Sequence, residues 1–218
     1  MSRPVVVVVG AGPGVSGSVA RRFAEEGYDV ALLGQDQEVI DALVPGLEAR
    51  GATVGHAVAD VTDEQAARDA VRRFGEHTGR IDVLHFNPSA WREADPLALT
   101  VAGLLEDVAL GVGALLTVVQ AARPYLSSGA RISVTGSMAA DEPWSGAASL
   151  GVQKAGVRNL VHSLDQALAP AGIRAVSVTV RGALSREGAF TPDRVADAIW
   201  SAVVRDEDAW TSEVPYGG

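Results

Sequence analysis

The sequence lacks cysteine altogether, which excludes disulfide bonds and thiolate metal sites. Histidine is scarce, and because its residues are far apart with no i, i+4 pair, we expect no metal site: His56, His77, His85 and His162. Lys and Arg number 18 against 27 Asp and Glu, and they are scattered rather than clustered. The net charge of −9 therefore disfavours nucleic acids and anionic membranes as partners.

Long apolar runs are also missing. The run Val5–Val9 is too short for a signal-peptide core, has only Arg3 as a basic residue before it, and leads into glycines rather than a cleavage site. We find no run near the roughly 20 apolar residues that span a bilayer. From these absences we expect a cytoplasmic protein.

The 218 residues, 47% of them apolar and 21% charged, suit one domain with a large core. Short β-branched runs alternate with segments of helical period. The predicted strands are Val5–Val9, 30–33, 53–57, Val83–Phe86, 131–135 and Arg174–Val180, with a short seventh near 210–214, and the predicted helices are 14–26, 37–50, 64–77, 101–126, 147–168 and 192–204. Because the strands are apolar throughout, both faces of the sheet are buried. The pattern predicts a single doubly wound α/β domain over residues 1–218, a Rossmann-type parallel sheet of six to seven strands with helices on both faces.

A glycine-rich turn directly follows the first strand and leads into the first helix: Gly10-Ala11-Gly12-Pro13-Gly14-Val15-Ser16-Gly17. Glycine at such a turn permits a tight bend and a close approach of the backbone to a pyrophosphate, which the N–H groups of the helix then face. A purely structural turn is the alternative. The position between the first strand and the first helix of a βαβ unit favours dinucleotide binding.

The glycine turn resembles that of the short-chain dehydrogenase/reductase family, whose pattern is Gly-x3-Gly-x-Gly. Gly10 and Gly14 match, Val15 follows, and Ser16 with Gly17 beside it replaces the third glycine. The resemblance continues through segments 59–62, 81–84, 122–126, 132–137, 154–156 and 172–174, and it covers residues 3–205. It implies a nicotinamide dinucleotide bound by Gly10, Gly12, Gly14, Val15, Ser16, Gln35, Asp60, Val61, Asn87, Lys154 and Gly182.

In this family the end of the second strand sets the preference between NAD and NADP. An acidic residue there pairs with the ribose of NAD, and a nearby Arg accepts the 2′-phosphate of NADP. Here Gly34 stands where the acid would be and Gln35 where the Arg often is, while Asp36 suits the N-cap of the next helix. Both NADP and NAD stay open, with NADP favoured because no carboxylate is obviously placed to repel its phosphate.

The resemblance also implies catalytic residues, namely a Tyr four residues before a Lys, a Ser and an Asn. Lys154 and Ser137 occupy the Lys and Ser positions, and we predict these two as catalytic. The Tyr position holds Leu150, a variant position seven residues before the Lys holds Ala147, and the Asn position holds Ala109. Since a carbonyl receiving a hydride needs a proton donor, we expect atypical or impaired acid/base machinery.

Other residues have a less specific prediction. We expect Trp91, Trp144 and Met138 to line the cleft, with a loop plug or an interface residue as the alternative, and we expect His85 in the core or at the cleft edge. Only eight residues separate Gly182 from Thr191, where the family usually carries a longer lid over the substrate. A short lid leaves a more open and wetter site.

Three functions fit these observations, and the fold alone does not choose among them. The first is an NAD(P)-dependent oxidoreductase for an unidentified small molecule, such as an iminium or an enone, that needs less acid catalysis. The second is a noncatalytic dinucleotide-binding sensor or partner subunit, and the third is a non-redox enzyme such as a cyclase or dehydratase. In each case we expect a homodimer or homotetramer, packed through the helices predicted at 101–126 and 147–168.

Overall fold

Seven parallel strands form one sheet in the structure, a computed structural model that describes residues 3–218. The strands are β1 (Val5–Val9), β2 (Asp29–Gly34), β3 (Val54–Val58), β4 (Val83–Phe86), β5 (Arg131–Ser137), β6 (Arg174–Val180) and β7 (Glu213–Tyr216). Their order is β3-β2-β1-β4-β5-β6-β7. The order reverses between β1 and β4, which is the doubly wound topology that the sequence predicts.

Helices cover both faces of this sheet. They are α1 (Val15–Glu25), α2 (Gln37–Glu48), α3 (Glu64–Thr78), α4 (Val101–Val108), α5 (Ala114–Ala122), α6 (Ala148–Leu168) and α7 (Pro192–Val203). The all-valine strand β1 shows why two layers are needed. Val6 and Val8 pack against residues of α1, α2 and α7, whereas Val7 and Val9 pack against residues of α3, α5 and α6. Burial on both faces therefore accounts for its continuous apolar sequence.

The predicted helix over 101–126 is helical from Val101 to Tyr125, but it is not an α-helix throughout. Helix α4 runs into a π-helical segment, Ala109–Gly113, which leads into α5 and a final 3₁₀ turn, Arg123–Tyr125. Gly111 packs so closely on α6 that an added Cβ would lie 2.6 Å from Oε1 of Gln153. The helix therefore widens where it meets α6, a feature often found at functional sites.

The helical stretch Val101–Tyr125 bears on the expectation that no apolar run spans a bilayer. It is 25 residues long and contains an 18-residue window of mean hydropathy 1.8, so by length and composition it is able to cross a membrane. The stretch is not a continuous apolar run, because Glu106, Asp107, Gln120 and Arg123 interrupt it. Its length and composition are weak evidence for a membrane span, because apolar core helices of globular proteins share them. This stretch packs against α3 and α6.

Candidate functional site

The carboxyl ends of β1, β2 and β4 surround a pocket of about 340 Å³. It lies where the strand order reverses, the point at which doubly wound sheets bind their ligands. Four of the predicted cofactor residues line it: Gly10, Gly12, Gln35 and Val61. Sequence reasoning did not assign Asp36, Pro88, Ser89 and Leu110 to this site, although they line the same pocket.

The glycines of the turn differ in what they contribute. Gly10 has a φ of +80°, and an added Cβ would lie 2.9 Å from the ring of Pro88. At Gly17 an added Cβ would lie 2.5 Å from the carbonyl oxygen of Gly12, whereas at Gly14 it would meet no atom within 4 Å. Gly10 and Gly17 are therefore required by the chain itself, and Gly14 leaves open space beside the turn.

Helix α1 begins directly after this open space. Its N-cap residue, Gly14, has no side chain to accept from the first N–H groups, unlike Asp36 of α2 or Asp63 of α3. Val15 and Ser16 in the first turn are buried, and the Ser16 hydroxyl lies 3.4 Å from the carbonyl oxygen of Gly12. Open space facing uncapped N–H groups fits the pyrophosphate of a dinucleotide.

The end of β2 explains the missing acidic residue. An added Cβ at Gly34 would lie 3.1 Å from the carbonyl oxygen of Ala11, so the glycine turn packs directly on this position. Asp36 is the N-cap of α2, as predicted, and its Oδ1 accepts from the N–H groups of Glu38 at 2.9 Å and Val39 at 3.3 Å. Asp36 nevertheless lines the pocket, and no lining residue of this pocket within residues 3–218 is basic.

Asp60 and Val61 close the far side of the site. The Asp60 carboxylate accepts from the backbone N–H of Thr62 at 2.8 Å and from its hydroxyl at 2.7 Å. These two hydrogen bonds, with a smaller contribution from Gln35, hold the pKa of Asp60 below its usual value. Val61 is buried and lines the pocket. Asp60 therefore shapes the turn that presents Val61 to the ligand.

The predicted catalytic residues, Ser137 and Lys154, both lie near the end of β5. The Lys154 side chain is only 7% exposed, and its Nζ donates to the carbonyl oxygen of Thr135 at 2.9 Å. Burial lowers the pKa of Lys154 to about 8. Two residues beyond Thr135, the half-buried Ser137 accepts from the N–H of Ala139 at 3.2 Å, and its own hydroxyl proton has no partner within residues 3–218. Leu150 lies one helical turn before Lys154 on α6.

Other predicted site residues lie further along the same edge, outside the pocket. Asn87 is half-buried at the end of β4, where its N–H donates to the carbonyl oxygen of Val9 at 3.0 Å. Gly182 follows β6 and is covered by Phe190, because an added Cβ would lie 2.4 Å from that ring. The short segment from Gly182 to Phe190 therefore folds back on the end of β6.

Two polar contacts that sequence reasoning missed fix the segment after β4. The fully buried Gln153 accepts from the N–H of Ala90 at 3.0 Å and donates to its carbonyl oxygen at 3.3 Å. Arg92 binds the buried Asp107 through two hydrogen bonds of 2.9 Å, which hold the pKa of this carboxyl below its usual value. The position of Gln153 in the sequence could have indicated its burial, since it lies on the same face of α6 as the buried residues Val157 and Val161.

His85 does not contribute to this site. It is fully buried on β4, on the sheet face that carries α1 and α7, and it contacts the hydroxyls of Ser133 at 2.9 Å and Thr135 at 3.4 Å. Burial lowers its pKa to about 3, so the imidazole is neutral. The core alternative predicted for His85 is confirmed.

Comparisons with known proteins match this geometry. The family model described as short chain dehydrogenase matches residues 4–186. The chain is 26% identical to Tropinone reductase-like 3 of Erythroxylum coca over 167 residues, which are 76% of this chain and 65% of that protein. It is 29% identical to Sulfoacetaldehyde reductase 2 of Chromohalobacter salexigens over 178 residues, or 80% of this chain and 70% of that protein. The match thus spans slightly less than two thirds of the plant protein's length.

A solved structure extends the comparison over almost the whole chain. A short chain dehydrogenase from Burkholderia cenocepacia, crystallised in complex with NADP, superposes with a TM-score of 0.90 at 27% identity. The superposition covers 97% of this chain and 95% of that one. The arrangement of strands and helices described above is therefore shared with a protein that binds NADP.

Proposed function

We propose a function that follows from the family of this chain. The match over residues 4–186 shows that the chain belongs to the short-chain dehydrogenase family. It is an NAD(P)-dependent oxidoreductase that acts on a small molecule with atypical acid/base machinery. The observation that carries the proposal is the pocket at the reversal of strand order, where Gly10, Gly12, Gln35 and Val61 converge.

Different residues would hold the different parts of the cofactor. The open space at Gly14 and the uncapped N–H groups of α1 receive the pyrophosphate. Gln35 and Asp36 would bind the adenosine ribose, and Lys154 would hold the ribose on the nicotinamide side. When bound, the dinucleotide supplies or accepts the hydride of the reaction.

The atypical machinery follows from the residues at the end of β5. Negative charge that develops on a substrate oxygen needs a nearby donor. The free hydroxyl proton of Ser137 is one such donor, and the Lys154 ammonium, with a pKa of about 8, adds positive charge at neutral pH. Leu150 contributes neither. Substrates that accept a hydride at carbon without simultaneous protonation, such as an iminium or an activated enone, fit this site best.

NADP is the proposed cofactor, with NAD as the alternative. The similar Burkholderia cenocepacia protein was crystallised with NADP, and Gly34, which packs tightly on Ala11, carries no carboxylate that would select NAD. The carboxylate of Asp36 in the pocket counts against a 2′-phosphate. Asp36→Asn preserves the N-cap and removes this charge. It is expected to shift the affinity ratio towards NADP about fivefold, equivalent to about 1 kcal/mol. An unchanged ratio would mean that Asp36 does not face the 2′ position.

The proposed activity is tested by two measurements on the same preparation. Calorimetric titration with NADP and NAD reports binding, and NAD(P)H consumption is followed over a panel of simple ketones, enones and cyclic imines. We expect binding, slow turnover of ketones and faster turnover of the imines or enones. Binding without consumption on any compound favours a sensor or partner subunit, and substrate turnover without cofactor oxidation favours a non-redox enzyme.

A homodimer or homotetramer is part of the proposal. Four large apolar side chains of α4, α5 and α6 are exposed, Val101 by 73%, Leu105 by 61%, Leu116 by 41% and Val152 by 49%. We also propose a cytoplasmic location, in which the stretch Val101–Tyr125 faces a second copy rather than lipid. Light scattering should give a multiple of 22.5 kDa, and Leu105→Glu should lower it. A native mass of 22.5 kDa at micromolar concentration would contradict the assembly.

A further inference from the structure

Two tryptophans, Trp91 and Trp144, are exposed and stacked on each other at the carboxyl edge of the sheet. Their ring centroids are 5.5 Å apart with planes inclined by 32°, and the residues are 59% and 58% exposed. The other two tryptophans are packed, Trp200 against Phe23 and Tyr28, and Trp210 under the guanidinium groups of Arg131 and Arg174. Only 5% of the chain is aromatic, so a pair left in water is unusual and points to a binding role.

The stacked pair lies beside the site described above. Trp91 comes two residues after Ser89, which lines the cofactor pocket together with Pro88. The ring of Trp144 lies on Gly146, where an added Cβ would be 2.6 Å from it. Gly146 leads into the first turn of α6, which carries Leu150. The pair therefore flanks the cleft between the pocket and the start of α6.

The two segments that carry the indoles are fastened to each other and to the helices. Ala94 and Ala147 form a β-bridge, and the N–H of Ala148 donates to the carbonyl oxygen of Ala94 at 3.2 Å. The side chain of Gln153 is hydrogen-bonded to both the N–H and the carbonyl oxygen of Ala90, and the Arg92 guanidinium donates two hydrogen bonds to Asp107. The indoles thus stand on an ordered support, so little ordering is required when a ligand stacks on them.

We infer that the stacked pair recognises a flat, apolar ring that the substrate carries next to its reacting group. This inference rests on the proposed function, since it names the substrate class of that site. A ring inserted between two indoles needs a separation of about 7 Å, the sum of two van der Waals contacts. The observed 5.5 Å excludes such insertion, so the substrate ring stacks on the exposed outer face of the pair.

Binding of two alcohols that differ only in ring type tests the inference without requiring turnover. 2-Naphthylmethanol and cyclohexylmethanol are titrated with and without NADP, followed by quenching of tryptophan fluorescence and by calorimetry. The native protein should bind the naphthyl compound several-fold more tightly. Trp91→Ala and Trp144→Ala should each reduce this preference about two- to tenfold, the range of an aromatic stacking contact. Trp144→Phe should preserve part of it.

A matched control removes apolar surface from the same connection without touching the pair. Leu97 is 99% exposed, and Leu97→Ala should leave the naphthyl preference unchanged. An undiminished preference in both alanine variants would overturn the inference, as would a fall from oligomer to monomer in Trp144→Ala, which would make the pair an interface between copies. Failure of NADP to bind, with the naphthyl preference intact, would count against the proposed function and leave ring recognition supported.

Discussion

The substitution Leu150→Tyr tests directly whether the native protein lacks a proton donor at position 150. Residues 150 and 154 are one turn apart on α6, so a phenol at 150 shares a face with Lys154. Since leucine cannot donate a proton to a developing alkoxide, the native protein should reduce simple ketones poorly. The variant should gain carbonyl reductase activity because its hydroxyl is able to supply that proton.

The size of the gain depends on groups already in the site. A well-placed general acid contributes about 10²- to 10⁴-fold. Lys154 is held by the carbonyl oxygen of Thr135 at 2.9 Å, and position 109 is Ala rather than Asn, so the support for a phenol is incomplete. We therefore expect a gain no larger than about 10²-fold, the lower end of that range. The gain should fall as the pH rises through 8, because Lys154, with a pKa of about 8, then loses the charge that favours the phenolate.

The assay compares kcat/KM for NADPH-dependent reduction of 2,2,2-trifluoroacetophenone by the native protein, Leu150→Tyr and Leu150→Phe. The phenylalanine variant adds the ring without the hydroxyl, so it controls for bulk. Equal rates in the two variants would refute a role for the new proton donor. Native turnover within tenfold of Leu150→Tyr would show that another group supplies the proton, with Ser137 or a water the first candidates.

Three further predictions concern stability and cofactor binding. Gly14→Val should fold normally but lose dinucleotide binding in calorimetry, because its side chain enters open space, whereas Gly17→Val should lower the melting temperature, because its Cβ would lie 2.5 Å from a carbonyl oxygen. Lys154→Met should raise the free energy of unfolding at pH 7 by about 1–2 kcal/mol, because burial lowers the native pKa from 10.5 to about 8 and ionisation therefore opposes folding. In denaturant titrations this advantage should shrink as the pH rises from 8 to 10.5, and a constant advantage would contradict the cause. His85 has a folded pKa of about 3 against 6.5, so the native protein should lose stability as the pH falls from 6.5 towards 3, by up to about 1.4 kcal/mol per pH unit. His85→Val combined with Ser133→Ala should remove that part of the slope in urea unfolding, and an unchanged slope would assign it to other groups.

The fold was largely predictable because its central strands are short, apolar and β-branched. Val5–Val9, Val83–Phe86 and Arg174–Val180 have the predicted bounds, since burial on both faces leaves little choice of residue. Strand β3 begins and ends one residue later than predicted, and it is a sheet edge where His56 and Val58 are exposed and constrain nothing. The last strand also begins later than predicted, because the backbone N–H of Trp210 donates to the carbonyl oxygen of Glu207 in a 3₁₀ turn instead of pairing in the sheet.

The polar contacts that support the site were not predictable in the same way. Gln153 on α6 and Asp107 on α4 are buried because the segment after β4 packs on both of them in the folded chain. In the sequence each is an ordinary polar residue of a helix, and its partner lies many residues away. A buried polar group is stable only when it is hydrogen-bonded, so its place depends on tertiary neighbours that local patterns do not encode.

Under the proposed function, the replacement of a glycine by Ser16 and that of a tyrosine by Leu150 have different consequences, because glycine acts through geometry and tyrosine through chemistry. Where the third glycine is replaced by Ser16, the neighbouring Gly17 makes the close approach to Gly12, so the turn still forms and open space remains beside Gly14. A phenol has no such substitute on the neighbouring turn of α6. Lys154 is the only titratable residue between positions 147 and 154, and its ammonium already donates to the backbone of β5. A shift of one residue can therefore restore a cofactor turn, whereas a lost phenol has to be compensated by a different group or by a substrate that needs no acid.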